Sequence, residues 1–131
     1  MYLLDTDIII YSLKGVSQVV ENLRRRRSAY MALSVVTYGE LVFGAECSER
    51  RSENLARVYR TAEIYPILPV TRAVMDSFGV LKADLRQKGK TIDDFDLLVA
   101  ATALGHGLTL ISNNLRHFQP IPGLRVENWN Q

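Results

Sequence analysis

The sequence predicts an α/β fold in which helices cover both faces of a central, mainly parallel sheet of four to five strands. Three observations lead there. Short apolar runs fall at residues 2–4, 30–33, 65–70 and 108–111, a last short strand is read around 125–127, and longer segments with apolar residues at helical spacing lie between the runs. Strands that alternate with helices imply parallel pairing, with crossovers on both sides of the sheet. The chain has 131 residues, 47% of them hydrophobic, enough for one core and no more, so residues 1–131 are read as a single domain.

The elements follow in order. Residues 2–4 form a strand ending at Asp5, and Asp7 to Leu13 begins a helix stopped at Gly15. Residues 16–27 carry Val16, Val19, Val20 and Leu23 at helical spacing and end in Arg24, Arg25, Arg26 and Arg27. A strand at Tyr30 to Leu33 precedes a helix from about Val36 to Cys47. Residues 52–63 read as another helix, and the strand within Tyr65 to Val70 is punctuated by Pro66 and Pro69. Thr71 caps a helix to about Lys88, ended by Gly89. A largely buried helix from Asp93 to His106, a strand at Leu108 to Ile111 and a last strand around Arg125 to Glu127 complete the chain.

Bulk properties exclude several classes. Sixteen Lys and Arg against fourteen Asp and Glu leave a net charge of only +2, which by itself predicts no polyanionic partner. No apolar run approaches the roughly 20 residues that span a bilayer, and the N-terminus lacks the charged start of a secretory signal. A cytoplasmic location is expected. The one cysteine, Cys47, cannot form an intramolecular disulfide and reads as a small packing residue.

The acids carry the chemistry. In an open parallel sheet, ligands bind outside the carboxyl ends of the strands, and Asp5, Ser34 and Ser112 fall at predicted strand ends. Asp5 is therefore read as functional. Asp7 is the cap or first-turn acid, favoured there by the helix dipole. Thr37 and Glu40 match a capping box, yet Leu41, Val42 and Phe43 place Glu40 near a buried face where an unpaired carboxylate is costly and a metal would remove the cost. Asp93, Asp94 and Asp96 exceed what one helix start needs, and the apolar run after Asp96 turns that residue toward the crevice. Ser112, Asn113 and Asn114 are ordinary turn residues, but at a strand end an Asn amide can orient a water or phosphate oxygen, and a Ser hydroxyl can support a carboxylate. His117 is given no catalytic role. The four arginines exceed the needs of a helix end and form a weak electrostatic footprint for RNA or an acidic protein segment.

Taken together, LLDTDIIIY at residues 3–11, VTYGELVFGAE at 36–46, IDDFDLLVAATALGHGLTLISNN at 92–114 and RHFQPIPGLRVENW at 116–129 resemble the PIN-domain ribonucleases, and within them the VapC toxins of toxin–antitoxin pairs. The resemblance spans the whole chain in order. It implies a three-layer α/β/α PIN-like fold, Mg²⁺ or Mn²⁺ held by Asp5, Glu40 and Asp96, hydrolysis of RNA, a homodimer or a toxin–antitoxin hetero-oligomer, and neutralisation by a VapB-like antitoxin. Asn114 stands where the family often has a further acid, so a fourth carboxylate is in question there. Oxygen donors and the lack of a Cys/His cluster agree with a hard cation and argue against zinc. Without a cation the converging carboxylates repel and at least one pKa rises, so an ion, or an antitoxin Arg among them, would stabilise the site.

Two other readings remain open from the residues. Asp5-Thr6-Asp7 fits the DxD start of a haloacid-dehalogenase-like phosphatase, with Asp5 as nucleophile and Asp7 as acid/base, although that scheme needs an acidic pair closing a strand. A noncatalytic RNA- or protein-binding module would use the acids as caps and the arginines for binding.

Overall fold

Alternation within each strand sets the layering. In the computed structural model, which describes residues 1–131, the elements run β1 (Tyr2–Leu4), α1 (Thr6–Leu13), α2 (Ser17–Arg25), β2 (Met31–Ser34), α3 (Val35–Glu46), α4 (Arg51–Ile64), β3 (Ile67–Leu68), α5 (Arg72–Gln87), α6 (Asp94–Gly105), β4 (Thr109–Ile111), α7 (Leu115–Phe118) and β5 (Val126–Glu127). Leu3, Ala32 and Leu110 point to one face, where they pack with Val74, Leu81 and Leu85 of α5, Leu97 and Val99 of α6, and Phe118 of α7. Leu4, Leu33 and Ile111 point to the other, against Ile8, Ile9, Val19, Leu23, Leu41 and Val58 of α1 to α4. Successive strand residues serve opposite cores. The result is the α/β/α sandwich expected, with each fully buried leucine contributing roughly 1.5–3 kcal/mol.

The sheet is entirely parallel, in the order β3-β2-β1-β4-β5. Central β1 pairs with β2 through Tyr2↔Met31 and Leu3↔Ala32, and with β4 through Leu3↔Leu110 and Leu4↔Ile111. Beyond the last pair, Asp5 N–H donates to Ile111 O at 2.9 Å, so the ladder carries Asp5 to the end of the sheet. Gly107, at φ +64°, makes the turn that brings α6 back to β4.

Several boundaries move for physical reasons. The second strand is Met31–Ser34 rather than Tyr30 to Leu33, and Ser34 is both its last residue and the cap of α3, accepting from Val36 N at 3.1 Å. The predicted capping box is thus not formed. Thr37 lies inside α3 and is fully buried. β3 shrinks to Ile67–Leu68 because Pro66 and Pro69 flank it and neither can donate to a ladder. Cys47 is exposed just past the end of α3 and packs no core, which corrects its reading as a small packing residue. The short α7 escapes sequence reading because a single turn has no periodicity to detect.

The C-terminus is stitched to α2. Asn22, 5% exposed, donates through Nδ2 to Trp129 O at 2.8 Å, Arg26 stacks over the indole at 4.5 Å, and Tyr2 meets the same ring edge-on at 4.8 Å. No helix is long and apolar enough to cross a membrane.

Candidate metal centre

β1 and β4 are neighbours from which the strand order proceeds outward in opposite directions, and a crevice forms outside the carboxyl ends of strands at such a point. Asp5 follows β1 and Ser112 follows β4. Both are buried. Asp5 caps α1, its Oδ1 accepting from Thr6 N at 2.9 Å, while its Oδ2 accepts from Ser112 Oγ at 2.9 Å. The Ser112 hydroxyl itself accepts from Asn114 N at 3.0 Å. A hydroxyl has one proton to give, and the shorter contact assigns it to Asp5, with Asp7 Oδ2 at 3.5 Å.

Asp7 does more than start a helix. Its Oδ2 accepts from Asn113 N at 3.0 Å, tying α1 to the loop after β4, and its Oδ1 is buried without any hydrogen-bond partner. Burial, then the neighbouring Asp7 carboxylate, pushes the Asp5 pKa up to about 7 against the pull of its Ser112 and Thr6 hydrogen bonds, and Asp96 adds to the rise. Asp7 is raised as well, chiefly by burial, with Asp96 again contributing. Three aspartates therefore feel one another.

Glu40 reaches the site from α3. The Thr6 hydroxyl donates to Glu40 Oε1 at 2.6 Å and lies 3.1 Å from the Thr37 hydroxyl, so Asp5-Thr6-Asp7 organises two acids directly and a third through Thr6. Asp96 stands in the first turn of α6, half-buried, with Oδ2 2.9 Å from His117 Nε2. Asp93 caps the same helix through Phe95 N at 3.2 Å, and Asp94 is exposed and paired with Lys82 at 2.9 Å. The helix-start acids are thereby separated from Asp96. The acidic pair does not close a strand, so the phosphatase arrangement is absent.

Asn114 and the arginine block complete the set of residues that the sequence singled out. The Asn114 side chain is exposed and makes no hydrogen bond, and its backbone N–H, not its amide, supports Ser112. The arginine block lies just before β2, at the opposite end of the sheet from the acids, and much of it is engaged: Arg24 pairs with Glu21, Arg25 and Arg26 donate to Asn22 Oδ1, and Arg26 covers Trp129. It braces the C-terminal tail.

No three acid or histidine side chains stand at the spacing of a formed metal site. The donor set nevertheless suits a hard divalent cation. The groups are carboxylate oxygens, one of them buried with no partner, and no lysine or arginine pairs with Asp5, Asp7, Glu40 or Asp96.

Comparison with known proteins gives the family. The family model described as the PIN domain matches residues 2–123. The chain belongs to the PIN domain family. A ribonuclease VapC2 of Haemophilus influenzae is 38% identical over 128 residues, covering 98% of this chain and 97% of that protein. A tRNA(fMet)-specific endonuclease VapC of Shigella flexneri is 32% identical, with 98% of each chain covered. Among solved structures, a DNA-bound VapBC from Salmonella typhimurium aligns with a TM-score of 0.91 at 32% identity, over 98% of this chain and 97% of that one. For this PIN domain, sequence reasoning placed Asp5 and Ser112 at the sheet edge, and missed the site contacts of Thr6, Asp7 and His117. The crowding of Asp5, Thr6 and Asp7 at one strand-to-helix junction was a readable signal for the first two; nothing in the sequence pointed His117 at Asp96.

Proposed function

We propose that the protein is a metal-dependent endoribonuclease, a VapC-like toxin of a toxin–antitoxin pair whose cleavage of RNA inhibits translation and growth and which a cognate VapB-like antitoxin neutralises. One observation carries the reading: a PIN domain gathers Asp5, Asp7, Glu40 and Asp96 around the ends of β1 and β4 without a lysine or arginine to offset them. Relatives named as VapC ribonucleases and a neighbour solved as a VapBC complex support it.

In this reading Asp5, Glu40 and Asp96 hold Mg²⁺ or Mn²⁺. When bound, such an ion lowers the pKa of a water and offsets charge on a scissile phosphodiester. Ser112 fixes Asp5 by donating to Oδ2, and Thr6 fixes Glu40 by donating to Oε1. Asn114 contributes its backbone N–H to Ser112, which leaves its amide free to meet a water or phosphate oxygen. An antitoxin arginine set among the acids would offset the same charge. The whole chain acts as one cytoplasmic PIN domain and assembles as a homodimer, joined by antitoxin into a hetero-oligomer.

The test is incubation of purified protein with total RNA, with Mg²⁺ or with chelator, and mapping of the new ends. Discrete Mg²⁺-dependent cuts that Asp96→Asn abolishes support the proposal. Cuts that persist in that variant, or in chelator, reject it.

A further inference from the structure

His117 and Asp96 are 21 residues apart in the chain, yet His117 Nε2 lies 2.9 Å from Asp96 Oδ2. With the carboxylate ionised, the imidazole N–H is the donor. Both side chains are about one-third exposed, at 30% and 33%, so neither is a free surface group. The ring is also restrained from behind. It meets Phe118 in a T-shaped contact at 5.3 Å and 79°, and Phe118 is 1% exposed within the core shared by α5, α6 and the sheet. The backbone of α7 adds His117 N to Asn114 O at 3.2 Å, joining the ring to the loop that carries Ser112.

Asp96 has no other side-chain partner, and its second oxygen accepts no hydrogen bond within the chain. One oxygen is engaged and the other is left open. A lone carboxylate at the start of α6, facing the negative charge of Asp5 and Asp7, would otherwise rotate away from them. Partners that hydrogen-bond a ligating group fix its orientation, and their loss typically costs about 10- to 100-fold in metal affinity or activity.

We propose that His117 is a positioning residue of the metal centre: its Nε2–H holds Asp96 Oδ2 and so presents the remaining Asp96 oxygen to a divalent cation. The ring itself is not a ligand. This rests on the reading of Asp96 as a metal-binding acid. It differs from a surface ion pair, which would contribute little and tolerate loss of either member.

The experiment is calorimetric titration of the purified full-length chain with Mn²⁺ alone, with no RNA present, for wild type, His117→Ala, His117→Gln and Asp96→Asn. A glutamine can place an amide N–H near the position of Nε2. The expected result is an affinity about 10-fold weaker in His117→Ala and restored to within about threefold of wild type in His117→Gln. Unchanged affinity in His117→Ala, with affinity lost in Asp96→Asn, would overturn the proposal alone. Unchanged affinity in Asp96→Asn would overturn the metal reading together with it. If His117→Gln is as weak as His117→Ala while circular dichroism shows both folded, the ring is a ligand or a packing element, and the positioning role is overturned. Should His117→Ala fail to fold, the His117→Gln titration decides by the same threefold criterion.

Discussion

The Thr6 hydroxyl donates to Glu40 Oε1 across 2.6 Å, joining the first residue of α1 to the middle of α3. A hydrogen bond to a charged group contributes about 1.5–3 kcal/mol, and here it fixes an acid that no cation pairs with. Thr6→Val keeps the shape and removes the donor. RNA cleavage should fall by about 10-fold or more, and Thr6→Ser should recover most of it, as read by initial rates on a single RNA substrate. Equal rates in wild type and Thr6→Val would show that Glu40 needs no such anchor.

Asp5 gives the pH dependence. Its folded pKa of about 7 lies above its ordinary 3.8, so the folded protein holds a proton that the unfolded chain has released. Stability contributed by this group is full below pH 3.8 and is lost as pH rises through about 7. At about 1.4 kcal/mol for each pH unit of that window, the loss is on the order of 4 kcal/mol for the metal-free protein. Chemical denaturation in chelator should show stability declining from pH 5 to pH 8, and Mg²⁺ at pH 8 should reverse much of it. A flat profile in chelator would contradict the burial argument.

Asp7→Asn removes one of two neighbouring buried charges while an amide oxygen can still accept from Asn113 N–H. The metal-free protein should gain stability above pH 7, because burial and Asp96 both raise the Asp7 pKa. Thermal melts with and without Mg²⁺ check this. The ion-induced rise in Tm should shrink in the variant, since less charge then awaits a cation.

The two aspartates at the start of α6 should separate by function. Asp96→Asn should abolish Mg²⁺-dependent cleavage, whereas Asp94→Asn, which removes only an exposed pair with Lys82, should change rate less than about twofold and stability less than about 1 kcal/mol. Side-by-side cleavage assays decide.

Asn22→Ala leaves the Trp129 carbonyl without its buried donor. Loss of about 1–3 kcal/mol is expected from urea denaturation, with the C-terminal residues opening first in hydrogen exchange. Cleavage at low temperature should be retained, since this clasp lies away from the acids.

Much of the fold was legible because strands buried on both faces leave continuous apolar runs, and Thr71, Gly89 and Asp93 announce helix ends by their own chemistry. Asp5 and Ser112 followed from their place at strand ends. What could not be read depends on partners far apart in the chain. Thr37 looked like half of a capping box, but Ser34 takes the cap and Thr37 turns inward to Thr6. Asp7 looked like a helix-start acid, and its second contact, with Asn113, exists only once β1 and β4 are paired. The arginine block looked like a footprint for RNA or an acidic segment, and Asn22 and Trp129 occupy part of it.

The pairing of Leu4 with Ile111 has a consequence for how sites of this kind can vary. β1 is three residues long, and its side chains alternate between two cores. Deleting one residue from it would shift Asp5 by about 3.3 Å and turn it to the opposite face, so the distance between Asp5 and Ser112 is inherited from sheet register rather than from the loops that carry the two residues. Loops around the crevice are free to lengthen or change for different RNAs, while an insertion inside β1 or β4 would cost the centre and the core together.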